Sequence, residues 1–285
     1  MSDAYHELLD AAIQHLQGLK SRRVRFVSVS PQALESLRGP GPRAAVRNPP
    51  AAVTPALPSA AAPTVERKAE EGGRKTEGKA AAFAELRQRA MGCVKCSHLA
   101  AARKNVVFGV GDIGARLMFV GEAPGADEDV QGEPFVGAAG QLLTKIIQTM
   151  GLSRDSVYIA NILKCRPDTP GQRSGNRKPT AEEMQTCIPY LHEQIDLIGP
   201  QVLVALGATA VEGLLGKTIG ITRLRGQWQT YRGTPLMPTY HPAYLLRNQA
   251  LSEKRRVWED MLEVMERLKM PISEKQRNFF LKPAA

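Results

Sequence analysis

No stretch of the sequence approaches the roughly 18 uninterrupted apolar residues that a membrane-spanning helix requires. The opening residues, with Ser2, Asp3, His6 and Glu7, lack the basic-then-apolar character of a secretory leader. Both absences predict a cytoplasmic protein with no membrane partner. Cysteine is scarce: 4 in 285 residues is no disulfide scaffold. In a reducing compartment so few thiols point to thiol chemistry or a metal centre. Acidic residues are also in deficit, 28 against 38 Lys and Arg, which leaves a formal charge of +10. That balance favours a polyanionic partner such as nucleic acid, although charge alone does not identify one. The remaining composition, 43% hydrophobic and 23% charged, is that of an ordinary soluble protein. The length fits one large domain with an appendage.

Along the chain, residues 2–20 have the pattern of a short amphipathic helix, with Leu8, Leu9, Ile13 and Leu16 on one face. Val24, Phe26, Val27 and Val29 then suggest a brief extended piece, so residues 1–38 form a short helical or extended leading segment. Residues 39–80 are rich in Pro, Ala, Gly and charge, with almost no large apolar side chain. Such a stretch cannot offset its ordering entropy and is expected to be a disordered linker. The globular domain is expected over 81–270, followed by a tail at 271–285. Within it, apolar runs at Leu117–Val120, Val157–Leu163, Val202–Leu206 and Leu236–Thr239 alternate with helical patterns at 138–150, 180–198, 208–215 and 252–268. Strands separated by helices predict an α/β fold: three layers, α/β/α, around a central, mostly parallel, four-stranded sheet. Ligands in such folds bind at the carboxyl ends of the strands.

Three clusters of polar residues follow predicted strands. Gly121-Glu122-Ala123-Pro124-Gly125 is a tight turn whose amides can face a ligand, and Glu122 and Glu128 could hold a water or act as a base. An isolated acidic run is more often a solvated loop. Phe135, between Pro134 and Val136, is either a stacking platform or a core plug. Asn161 ends an otherwise apolar strand, where a buried amide needs a partner. A fixed amide offers one acceptor and one donor, which matches N3–H and O4 of uracil and mismatches cytosine. His241, after the last strand, can donate to developing negative charge or simply cap the turn that follows. Downstream, Leu245 could wedge into a base stack and Arg247 could meet phosphate. Cys93-x2-Cys96 is a chelating pair, with Cys165 and Cys187 available to complete four thiolates. Zinc and an iron–sulfur cluster both suit that set, and spacing does not separate them.

Taken together, these strings resemble family 4 uracil-DNA glycosylases, the iron–sulfur branch of the uracil-DNA glycosylase superfamily. The resemblance runs from Cys93 to about Leu268. It rests on Cys-x2-Cys followed by Val-Val-Phe-Gly, on Phe-Val-Gly-Glu-Ala-Pro-Gly, on Gly-x-Pro-Phe-Val-Gly-x-Ala-Gly-Gln-Leu-Leu, on Asn-Ile-x-Lys-Cys-Arg-Pro, and on His-Pro-Ala-Tyr-Leu-Leu-Arg. Five motifs in order are far more specific than any one alone. The resemblance implies a [4Fe–4S] cluster on Cys93, Cys96, Cys165 and Cys187, and a uracil pocket from Gly121, Glu122, Ala123, Phe135, Asn161 and His241. It implies catalysis by Glu122, Glu128 and His241, which would release uracil from DNA and leave an abasic site. Ala126 departs from the family's usual acidic residue in the first motif. The segment between Cys165 and Thr180 is longer than the common form. A related branch that traps uracil DNA covalently has an insert here with a reactive His; this insert has none, which implies turnover.

Arg173 and Arg177 of that insert are expected, with Arg247 and Leu245, to meet DNA. Residues 1–80 match no family pattern and are expected to recruit a protein partner to a monomeric enzyme. Two rival readings predict different chemistry. One is a non-catalytic nucleic-acid module organised by zinc, and the other is a glycosylase of the same superfamily with altered base choice.

Overall fold

The computed structural model describes residues 66–169, 172–216 and 218–281, with the side chains of 66–77, 169 and 172–175 left aside. The leading segment 1–38 and most of the linker 39–80 lie outside the described residues. In chain order the elements are α1 (Glu66–Met91), α2 (Ser97–Ala102), β1 (Val110–Gly111), β2 (Leu117–Gly121), α3 (Ala126–Gln131), α4 (Ala138–Thr149), β3 (Tyr158–Asn161), β4 (Asp168–Thr169), β5 (Gln172–Asn176), α5 (Ala181–Ile198), β6 (Val202–Leu206), α6 (Ala208–Leu215), α7 (Ile221–Leu224), β7 (Gln229–Tyr231), β8 (Thr234–Thr239), α8 (Pro242–Arg247), α9 (Leu251–Arg267) and α10 (Glu274–Arg277).

The sheet has six strands in the order β1-β3-β2-β6-β8-β7, and β4 and β5 form a separate hairpin. Strands β3, β2, β6 and β8 are mutually parallel and correspond to the four expected from sequence. The sheet therefore has two strands more than expected, because β1 and β7 pair antiparallel at its edges. These are two- and three-residue pieces, too short to carry a hydrophobic period.

β2 and β6 are buried at every residue, so both faces of the sheet are covered. In β2, Met118 and Val120 point into one core with Leu86 of α1, Leu191 of α5 and Val211 of α6. Leu117 and Phe119 point into the other, with Ile147 of α4 and Met261 and Met265 of α9. This alternation makes the three layers. The chain leaves β2 for β3 on one side and later reaches β6 on the other. A crevice is expected above such a reversal, at the strand ends.

Helical structure is present on both sides of residues 81–270. α1 begins at Glu66 rather than near 81, within the stretch expected to be an unstructured linker. Its first half is strongly polar and reads as tether, but Phe83, Leu86 and Ala90 anchor the second half in the core. Lys79 Nζ donates to the Ile198 carbonyl at 2.9 Å, tying the helix to the end of α5. At the other end, residues expected as a tail pack on the domain: Gln276 Nε2 donates to the Thr149 carbonyl at 2.8 Å and Trp258 Nε1 to the Gln276 carbonyl at 2.5 Å. Among the described residues, no helix is long and apolar enough to cross a membrane.

Leu86 has no exposed surface. Leu86→Ala should lower unfolding free energy by about 2–5 kcal/mol, the range for a buried leucine whose site relaxes only partly. Chemical denaturation with an unchanged m-value checks this; a loss below about 1 kcal/mol would mean that α1 is dispensable to the core.

Candidate active site

The carboxyl ends of the parallel strands bring the sequence motifs together. Gly121 of β2 pairs with Asn161 of β3, and Leu206 of β6 with Thr239 of β8. Beyond these ends lies a cavity of about 380 Å³, lined among others by Glu122, Ala123, Phe135, Asn161 and His241, with Arg177 and Arg247. Every base-pocket residue expected from sequence lines it except Gly121, which lies just behind. A Cβ on Gly121 would stand 2.5 Å from Phe135 Cζ and closer still to Asn161 Oδ1. Only glycine leaves room for both side chains. Gly207 plays a similar part after β6: with φ +91°, it passes so near His241 that a Cβ would lie 3.0 Å from the histidine's Cβ.

Asn161 is 2% exposed. Its Oδ1 is one of two buried side-chain polar atoms without a partner among the described residues, the other being Tyr231 Oη. An orphaned acceptor is destabilising by roughly 1–3 kcal/mol, and this one stands at the pocket wall.

His241 caps the N-terminus of α8, and its Nδ1 accepts from the Ala243 N–H at 3.1 Å. That bond fixes the tautomer: Nε2 carries the proton and is a donor. Burial, reinforced by the nearby Arg247 charge and opposed by Glu128, pushes the imidazole down to about 4. His241 is therefore neutral at physiological pH. Its ring lies 5.5 Å from that of Phe135, tilted by 31°.

The two carboxylates have different tasks. Glu128 Oε1 accepts from the N–H groups of Val136 and Gly137, both at 2.9 Å, and Oε2 accepts from Gly125 N–H at 3.0 Å. This carboxylate holds the two pocket loops together and also lines the cavity. Glu122 is half-buried and lines the cavity. Leu245, expected to wedge into a base stack, is 5% exposed and packs with Tyr240 and Val257, and the apolar side chain that α8 offers to solvent is Leu246, 39% exposed. Arg247 is exposed at the rim. Arg177 reaches the cavity wall, but its guanidinium is paired with Glu183. The Arg173 side chain lies outside the described residues.

One positioning residue escaped the sequence reading. Arg154 donates to the carbonyls of Pro134 at 2.7 Å and Phe135 at 3.1 Å. Phe135 sits at φ +55°, a left-handed conformation that a bulky residue adopts only under restraint. Arg154 supplies that restraint from a loop carrying no motif.

The four cysteines come from α1's end, the start of α2, the segment after β3, and α5. Cys93, Cys96, Cys165 and Cys187 line one small cavity together with Leu99, Arg103, Leu163 and Thr186. Thr180 and Glu183 form a reciprocal cap at the start of α5, which sets the helix that carries Cys187 one turn later. Arg103 donates to Cys165 Sγ at 3.1 Å and Lys164 N–H to Cys187 Sγ at 3.3 Å. Burial pushes the Cys187 thiol up to about 11 and raises Cys96 and Cys165. Thiolates here need a positive centre to sustain them. Among the described residues no three His, Cys, Asp or Glu are set to hold a single metal ion. His98, next to the pair, contacts Glu183 at 2.6 Å instead.

The strand ends of this doubly wound sheet thus gather a neutral histidine, a buried amide and an aromatic wall around one cavity. A family description, the uracil DNA glycosylase superfamily, matches residues 108–262. Similar proteins include a type-4 uracil-DNA glycosylase of Thermotoga maritima, 45% identical over 61% of this chain and 88% of that protein. Another, from Archaeoglobus fulgidus, is 42% identical over 58% of this chain and 83% of its own length. A type-5 uracil-DNA glycosylase of Pyrobaculum aerophilum is more distant, at 33% over 55% of this chain and 72% of its own. The chain belongs to the uracil-DNA glycosylase superfamily, in its type-4 family.

Gly121→Ala should fold yet lose pocket function, because the added methyl displaces Asn161 or Phe135; intact circular dichroism with uracil release reduced at least tenfold is expected. Normal release would show that the two side chains have slack. His241 should show no titration of its ring shifts by NMR between pH 5 and 8. Its native value lies below the ordinary 6.5. The unfolded chain therefore binds more protons between about 6.5 and 4, and stability falls as pH drops through that window. His241→Gln should flatten that part of the stability profile.

Proposed function

We propose that the chain hydrolyses the N-glycosidic bond of deoxyuridine in DNA, releasing uracil and leaving an abasic site. The observation that carries this reading is the orphaned Oδ1 of Asn161. Uracil N3–H supplies the missing donor, while the amide Nδ2 donates to O4; cytosine presents the reverse pattern. The base, extruded from the stack, would lie against Phe135. His241 Nε2–H would donate to O2 as the bond breaks and negative charge collects on the leaving base. A neutral donor preset at that point stabilises the transition state without reorganisation. Glu122 would hold the attacking water and favour the cationic sugar electrostatically. Arg247 would meet phosphate, and Leu246, in place of Leu245, would fill the gap in the stack. The +10 charge suits an anionic polymer.

We also infer that Cys93, Cys96, Cys165 and Cys187 hold a [4Fe–4S] cluster. Their shared cavity, soft donors and N–H bonds to two sulfurs fit such a group. A cluster there would supply no bond-making step to a hydrolysis; it would be held by Cys93 and Cys96 together with Cys165 and Cys187 and would tie those three stretches of chain together.

Incubation with a uracil-containing oligonucleotide, followed by alkali, should cut the strand at uracil. Asn161→Asp should lower single-turnover excision by roughly ten- to a thousandfold. Wild-type rates in that variant would remove the amide from base recognition. Purified protein should be brown, with absorbance near roughly 400 nm and about four irons per chain. Colourless active protein with one zinc would reject the cluster.

A further inference from the structure

The insertion after Cys165 folds as the β4–β5 hairpin, with Asp168 paired to Asn176. Its base reaches the pocket: Pro167, Asn176 and Arg177 form part of the cavity wall, beside Glu122, Gly125 and Arg247. Asn176 is exposed, so it stands at the cavity mouth and not on its floor.

Its amide is oriented. Arg166 Nε donates to Asn176 Oδ1 at 2.8 Å. A guanidinium has donors only, so the amide must turn its oxygen to Arg166 and its Nδ2 away. The Nδ2 end faces the turn after β2, 3.4 Å from where a Cβ on Gly125 would lie. Behind it, Arg177 is anchored by Glu183, which also caps α5, and Arg177 N–H bonds the Pro167 carbonyl at 3.2 Å. The base of the hairpin is thus braced to the domain and presents a fixed donor to the pocket entrance.

We propose that Asn176 is a substrate-contact residue carried by the insertion, whose Nδ2 donates to a phosphate oxygen flanking the extruded deoxyuridine. The base's own acceptors are assigned deeper in the pocket, to Asn161 and His241, whereas a rim position beside Arg247 meets the backbone. Arg166 is then a positioning residue that acts through Asn176. This inference rests on the proposed uracil excision.

The test is single-turnover excision and DNA affinity for the full-length chain, the Asn176→Ala and Asn176→Asp variants, and Arg166→Gln. Substrates are a uracil oligonucleotide and matched ones with a neutral methylphosphonate replacing either phosphate beside the uracil. Asn176→Ala should lower excision or affinity about tenfold on the natural substrate, and by less than about twofold when the contacted phosphate is neutral. Asn176→Asp should be worse than alanine on the natural substrate, since it sets a carboxylate against a phosphate, and its deficit should shrink with added salt. Arg166→Gln should reproduce part of the alanine effect in wild-type Asn176 and none in Asn176→Ala. Wild-type protein that releases uracil beside an indistinguishable Asn176→Ala would overturn the hairpin contact alone. Equal losses on natural and both neutral substrates would overturn it too. Wild-type protein that releases no uracil removes the underlying reading, and this one with it.

Discussion

A buried amide oxygen without a donor is destabilising, and much of the pocket is arranged around keeping one. Asn161 ends β3 beside Gly121 at the end of β2, and the absent side chain at 121 gives the amide its place. Phe135 occupies the same gap from the other side, in a backbone conformation held by Arg154. The Glu128 carboxylate ties the Gly125 turn to the loop after Phe135 through three backbone N–H groups. Buried Lys164 donates to the Asn161 carbonyl at 2.9 Å and to Gln194 at 2.6 Å, fixing the strand end from below. These are preorganising contacts, made before any ligand arrives.

The same arrangement divides labour among like residues. Of the carboxylates that follow β2, Glu122 and Glu128 both line the cavity, but only the one at 128 is held by three backbone donors. Two leucines adjoin on α8, but 245 completes a small core and 246 meets solvent. In each pair, the fold ties one member into internal contacts and leaves the other without them. His241 follows this rule differently: one ring nitrogen is spent on the cap of α8, which leaves the other as a donor of known protonation.

How much of this was legible in the sequence depends on the length scale of each signal. The four parallel strands are apolar runs legible in the sequence, as are the helices at 138–149, 181–198 and 208–215; the short helices Ala126–Gln131 and Ile221–Leu224 are not. The edge strands Val110–Gly111 and Gln229–Tyr231 are too short for any period. The first half of α1, rich in Glu, Lys, Arg and Gly, has the composition of a tether, whereas Phe83, Leu86 and Ala90 of its second half pack in the core. Gly121, Asn161 and His241 stand out in the sequence because they sit in motifs at strand ends, and the fold brings them to one cavity or its edge. Arg154 and Asn176 do not stand out, since their importance comes from hydrogen bonds to residues distant in sequence. Leu245 and Leu246 are adjacent, and which one faces outward is set by the helix's rotation against Tyr240 and Val257.

The account turns on whether Asn161 Oδ1 receives a proton donor from the base. An oligonucleotide carrying 3-methyldeoxyuridine removes that donor and leaves the sugar, phosphates and O2 unchanged. Single-turnover rates on this substrate and on its deoxyuridine counterpart are the direct comparison. Excision of deoxyuridine with a loss of at least a hundredfold on the methylated base is the predicted result, since the methyl both removes the bond and crowds the amide. Equal rates on the two substrates would contradict it.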